Sequence, residues 1–259
     1  MNASLLPRPF GNDDALPAPA RIPFSRLVRV EWAKATDTRA ARWLLGLVAL
    51  STAAMMLTPV FAPDNFNRTY SGYLRVAALG LTILLPVVAI LMLTGEWSQR
   101  SIMTTFTLEP RRIRVLNAKL AASMLLSGLG AAFGGVVTTA ALGVAAALGT
   151  DVDANLTVDT VTGYLLFVVL NVMAGVALGT LLQSSATAIA ASFALPASVA
   201  VLGRASTLVS DWIDMSNTWN RVLENDWAGH VPQISFSILF WVAVPLAAGI
   251  ARTIRRDIP

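Results

Sequence analysis

The sequence predicts an all-α integral membrane protein with six transmembrane helices and both termini cytoplasmic. Three observations carry this. Hydrophobic residues make up 55% of the chain and charged residues 13%, about half the charged share of a soluble domain. Six runs are long and apolar enough for a bilayer, which takes about 20 residues per crossing. They fall at about 43–61, 74–94, 120–148, 160–183, 186–203 and 233–251. Finally, the basic residues are sorted along the chain. Fifteen of the 19 lie before the first run, between the second and third, or after the sixth. Basic residues stay on the cytoplasmic side, so these three segments face inward and an even number of crossings follows. This topology accounts for the net charge of +4 without a nucleic-acid partner.

In chain order, residues 1–23 are polar and Pro-rich and read as a mobile cytoplasmic tail. Residues 24–42 read as an amphipathic helix lying at the inner membrane surface. Phe24, Leu27, Val28, Trp32 and Ala35 share one face, with Arg26, Arg29 and Lys34 on the other. Glu31 interrupts the apolar face. It either pairs on the surface with Lys34 at i+3 or meets an arginine of the second basic segment. That segment, 95–119, is the most unusual stretch of the chain. It carries Arg100, Arg111, Arg112, Arg114 and Lys119 against Glu96 and Glu109. Glu96 and Arg100 are spaced i, i+4 in the favourable order. Pro110 should split the segment into helices over 95–108 and 111–119.

The six-span domain occupies 43–251. The third run, at 1.5 Å per residue, reaches roughly 43 Å and must tilt or protrude from a core of about 30 Å. Pro86, Pro196 and Pro245 each sit inside a run and should kink it. Gly130–Gly134 and Gly175–Gly179 are GxxxG pairs that allow close helix packing, within the chain or between subunits. Between the fifth and sixth runs, Trp212, Met215, Trp219, Val222, Leu223 and Trp227 recur at helical spacing. They predict an outer helix that is either re-entrant or an aromatic anchor. Residues 252–259 form a cytoplasmic tail.

Catalytic material is scarce. There is no cysteine and a single histidine, His230. No ionisable residue lies deep in the six runs, so a metal site or proton relay lacks ligands. Asn171 is the one strongly polar side chain near mid-span and reads as an interhelical hydrogen-bonding or pathway residue. A phosphate-binding loop would place lysine after a glycine and before serine or threonine. Lys34 and Lys119, the only lysines, have neither neighbour. Uphill work would need energy from another chain. Arginine outnumbers lysine 17 to two and alanine is abundant, a bias expected of a bacterial, GC-rich genome.

Three motifs together resemble the permease subunits of ABC-2-type ATP-binding-cassette exporters. The first is Glu31, Trp32, Lys34 and Thr38-Arg39 before the first run. The second is Gly95-Glu96-Trp97, Thr104-Thr105, Pro110-Arg111-Arg112 and Lys119 after the second, and the third is Arg255-Arg256-Asp257. The resemblance covers nearly the whole chain beyond residue 24. The chain departs from the family at Ser98-Gln99-Arg100-Ser101, where many relatives carry a glycine. The resemblance implies a multi-pass protein of the bacterial inner (plasma) membrane that is not itself an enzyme. It implies a cytoplasmic coupling helix between spans 2 and 3, with Glu96, Arg100, Thr104, Thr105, Pro110, Arg111, Arg112, Arg114 and Lys119 at an interface with ABC-type ATPase subunits. Those subunits would hold the ATP and Mg; this chain would hold no cofactor. A second copy or similar permease would complete the path in the lipid bilayer. The implied cargo is a drug, peptide or lipid-like amphiphile. The alternative is a non-transporting accessory or sensor subunit using the same ATPase contact.

Overall fold

The computed structural model describes residues 22–98 and 111–255. Every element among them is helical, and six helices are long and apolar enough to cross a membrane. Helix α1 (Phe24–Thr36) precedes the first span. That span joins α2 (Arg39–Met55) to the short α3 (Leu57–Phe61). Then follow α4 (Tyr70–Ser98), α5 (Arg112–Ala147), α6 (Val158–Leu182) and α7 (Ser185–Gly203). Two short helices, α8 (Thr207–Trp212) and α9 (Met215–Leu223), come before the last span. This span is α10 (Val231–Ile238), a π turn (Leu239–Ala243) and α11 (Val244–Arg255).

The spans run longer than hydropathy alone predicts, and the excess is polar. Helix α4 continues to Ser98 and α5 begins at Arg112. The predicted 111–119 helix is therefore the first turns of the third span, not a separate element. Its 36 residues span about 54 Å, so it extends well beyond an apolar core of about 30 Å. At the chain's start the expected 24–42 helix is broken in two. The Thr38 hydroxyl accepts from Ala41 N and caps a new helix, so Arg39 and Arg42 belong to span 1.

Helices α4 and α6 form the core. In their most apolar stretches 72% and 67% of residues are buried, against 6% in α7, which lies at the periphery. Both GxxxG pairs are taken up inside the chain. Gly130 and Gly134 face Leu85 and Leu81 of α4, and the Tyr164 hydroxyl donates to Ala131 O at 3.0 Å. Gly175 and Gly179 also face α4. A Cβ on Gly175 would lie 3.0 Å from Pro86 Cβ. One on Gly249 of α11 would lie 2.6 Å from the Thr180 carbonyl carbon, so the last span crosses α6 backbone to backbone.

The predicted single outer helix is also two. Asp214 accepts from Ser216 N at 2.9 Å and starts α9 afresh. Trp219 is fully buried, whereas Trp227 lies beyond the helix. Far from the chain ends, Tyr70 N donates to Asp153 O and Asp153 N to Arg68 O. These bonds tie the connection between the first two spans to that between the third and fourth. At the other end of the bundle the first turn of α5 holds both Ile22 and Thr253, close to the two outermost described residues; this end is called here the termini face.

Gly175→Leu should overpack the α4–α6 seam and cost about 1–3 kcal/mol. Gly143→Leu, where an added Cβ meets nothing within 4 Å, should stay within about 0.5 kcal/mol of the parent. Thermal unfolding of the detergent-purified variants, followed by tryptophan fluorescence, separates the two.

Candidate functional site

At the termini face four charged side chains close a ring. Glu31 and Lys34 come from α1, Glu96 from the end of α4 and Lys119 from the third turn of α5. Lys34 Nζ donates to Glu31 Oε1 at 2.7 Å and to Glu96 Oε1 at 2.5 Å. Lys119 Nζ donates to Glu31 Oε2 at 2.6 Å and lies 3.1 Å from Glu96 Oε2. Each carboxylate thus faces both ammonium groups. The ring is net neutral. The Lys119 and Glu31 side chains are 4% exposed, and Lys34, at 37%, faces the outside.

Burying a lone ammonium or carboxylate costs several kcal/mol, and pairing with good geometry offsets that cost. The ring does so by joining three helices. Glu31, the polar residue on the apolar face of α1, is buried, and the sequence reason for it is now visible. It does pair with Lys34, but within the protein rather than on its surface. Its partner in the second basic segment is Lys119, not an arginine. Burial opposes the charge on Lys34. The hydrogen bonds to Glu31 and Glu96 outweigh that and hold its pKa above the ordinary 10.5.

Several arginines of this face serve as clasps. Arg112 Nη1 donates to Thr253 O at 3.0 Å, close to the end of α11. Arg252 Nη1 donates to Leu181 O at 2.7 Å, at the end of α6. The last carbonyls of a helix have no internal donor and carry partial negative charge, so a guanidinium suits them. Gln183 ends α6 with φ 54° and donates through Nε2 to Thr253 Oγ1 at 3.0 Å. Arg114 Nη2 donates to Ile22 O at 2.7 Å, at the entrance to α1. The first turns of α5 therefore hold the start of α1, its middle and the end of α11.

Of the residues expected at a coupling interface, Glu96 and Lys119 sit in the ring and Arg112 and Arg114 bind backbone of this chain. Arg111 is exposed at the α5 N-cap. Arg100, Thr104, Thr105 and Pro110 lie outside the described residues. Trp32 is half-buried and packs against the main core. Among the described residues Asn171 bonds within its own helix and not across helices: its Nδ2 donates to Phe167 O, one turn earlier in α6, at 2.8 Å. Arg252, Gln183 and Thr253 escape a reading of the sequence, because a helix-end clasp has no motif. The ring had a signal: one acid on an apolar helical face, and two lysines among 17 arginines.

Beside the ring lies a cavity of about 360 Å³ between α1, α2, α4 and the start of α7. Lys34 and Glu96 stand on its wall, and Leu44, Val88, Leu91 and Met92 give it an apolar lining. No group of three or more metal-ligating side chains occurs among the described residues. No family model matches the chain, and no curated protein matches it.

Lys119→Ala would leave two buried carboxylates sharing one partly exposed ammonium, and should cost about 3–5 kcal/mol. Adding Glu31→Gln should recover part of that loss, seen as a double-mutant coupling in thermal unfolding. The folded-state pKa of Lys34 lies above its unfolded value of 10.5. Its contribution to stability is therefore complete below that value and is lost as pH rises through the folded pKa. The unfolding midpoint should fall above about pH 10.5, and Lys34→Met should flatten that fall relative to the parent.

Proposed function

We propose that this chain is the membrane-spanning permease subunit of an ABC-2-type exporter, driven by a separate ATPase that grips the 99–111 region. The observation that carries the reading is the ring of Glu31, Lys34, Glu96 and Lys119. It joins α1 to α4 and α5, the two helices from which the 99–110 segment departs and to which it returns. A push on that segment reaches the end of one helix and the start of the other, and the ring makes α1 move with both. The expected acid and base of the opening helix, and the Glu and Lys that flank the inner segment, are the four members of the ring. That gives the family-like motifs a physical task.

The lateral cavity supports a lipid-like amphiphile as cargo. Its wall offers one cation and one anion beside an apolar lining, which suits a polar head with a hydrocarbon body. The resemblance implies a cytoplasmic termini face in a bacterial cell and an assembly of two permeases over two ATPases. A mere accessory subunit would bind the ATPase without moving a substrate.

Co-expression with ABC-type ATPases from the same genome, followed by reconstitution into liposomes, tests the reading. Wild-type complex should move an amphiphilic fluorophore in an ATP-dependent way. Arg111→Glu should lower co-purification and stimulated ATP turnover about tenfold or more. Arg112→Glu is a poorer probe, because it also releases the end of α11. Unchanged binding and turnover in Arg111→Glu together with no ATP-dependent movement would overturn the proposal.

A further inference from the structure

A second cavity, of about 40 Å³, lies between α4, α6, α7, the start of α9 and the π turn. That volume holds about three water-sized spheres. Its lining brings together all three proline irregularities. Pro86 and Pro196 line it directly. Proline has no amide hydrogen, so it leaves the carbonyl four residues earlier without its helical donor. For Pro86 that residue is Thr82, for Pro196 it is Ser192 and for Pro245 it is Trp241, and each of the three lines the cavity. Before Pro245 the helix widens into the π turn Leu239–Ala243, a distortion frequent at functional sites.

Most donors around the cavity are already committed elsewhere. The Thr82 hydroxyl donates to Leu79 O at 3.2 Å and the Ser192 hydroxyl to Ile189 O at 2.8 Å. Trp241 Nε1 donates to Ile213 O at 2.7 Å. Asn171 gives one amide hydrogen to Phe167 O. Asn171 is 7% exposed, and no hydrogen bond reaches its Oδ1 from the described residues. The acceptors that the lining residues offer are Asn171 Oδ1 and the backbone carbonyls of Thr82 and Ser192, which the two prolines leave without a helical donor. The lining has no carboxylate. Carbonyl oxygens of broken helices can replace the hydration shell of a small monovalent cation.

We propose that this cavity binds a compact monovalent cation, an alkali ion or the ammonium head of an amine, on the proline-freed carbonyls and Asn171 Oδ1. The site opens beside Ile83 and Phe193, both exposed and apolar, so an alkyl body attached to such a head has a surface to lie on. The inference stands on the cavity's chemistry and does not require the transport reading.

The test is thermal unfolding of the full chain in neutral detergent at constant ionic strength. Sodium, potassium, ammonium and methylammonium chloride are compared with N-methylglucamine chloride, whose cation is too large for the cavity. At least one small cation should raise the midpoint by about 2–4 °C. A rise with methylammonium and ammonium alone points to an amine head, and one with sodium or potassium to an inorganic ion. Asn171→Leu should abolish the rise. Should that variant fail to fold, Asn171→Asp supplies the second arm: its added charge should enlarge the rise. Equal midpoints in all five salts for wild type and Asn171→Asp would show a cavity that holds water only, and overturn the proposal. A cation effect that persists unchanged in Asn171→Leu would overturn it as well.

Discussion

Removing a charge from water costs more than most single contacts return, so a buried ionic group dictates what is built around it. Lys119 is such a group. With 4% of its side chain exposed, it needs anions within hydrogen-bonding reach. The anions available are Glu31 on α1 and Glu96 at the end of α4. Two carboxylates beside one ammonium leave an excess negative charge, and Lys34 neutralises it from the outer side. The position of α1 depends on this closed set. A 13-residue helix with no side-chain N-cap is marginal by itself. Its apolar face packs Val28, Trp32 and Ala35 against the bundle, but apolar contacts alone give it no fixed orientation. The ring supplies the orientation, and the clasp from Arg114 to Ile22 O fixes its start.

The choice of lysine in this ring has a physical reason. Arginine dominates the basic residues of the chain, 17 to two, and at helix ends its planar fork reaches backbone carbonyls, as Arg112 and Arg252 do. Between two carboxylates in a closed ring the need is different. A compact ammonium presents rotatable donors around a point charge. Both lysines of the chain occupy such positions. Placing the wider guanidinium of Lys119→Arg between Glu31 and Glu96 would push α1 away from α5.

The six spans were legible because a bilayer imposes a length on any apolar run. Their ends were not, because hydropathy falls at the first charge even where the helix goes on. Glu96 and Lys119 each lie inside a helix that continues past them, and pairing makes that continuation possible. The outer tryptophans show a related limit. Trp212, Met215 and Trp219 keep a helical period, yet Asp214 between them is a strong N-cap residue and accepts two backbone amides. Local capping overrides periodicity there. The GxxxG pairs were legible as close-packing sites. Their partners, α4 for both pairs and Tyr164 of α6 as well for Gly134, could come only from the three-dimensional arrangement. Asn171 was legible as a polar group out of place, but its cavity is built by Pro86, Pro196 and Trp241 from three other spans, and no local sequence pattern records that convergence.

Helix α4 joins the two polar features of the bundle. Glu96 belongs to the ring and Pro86 to the second cavity. The two are ten residues apart on one helix, about 15 Å along its axis. The stretch between them is continuous and largely buried, with Ile90 and Leu93 packed inside the bundle. A helix segment of that kind moves as a rigid rod, and its soft point is the proline, where a backbone hydrogen bond is already missing. A displacement of the ring would therefore appear at Pro86 with little loss. It would also reach Gly175, where an added Cβ would lie 3.0 Å from Pro86 Cβ. The proline-linked defects of α4, α7 and the last span meet around one cavity. Bending at any one of them changes the spacing of the same set of acceptors, and a change in that spacing is the means by which motion at the termini face could alter what the cavity holds.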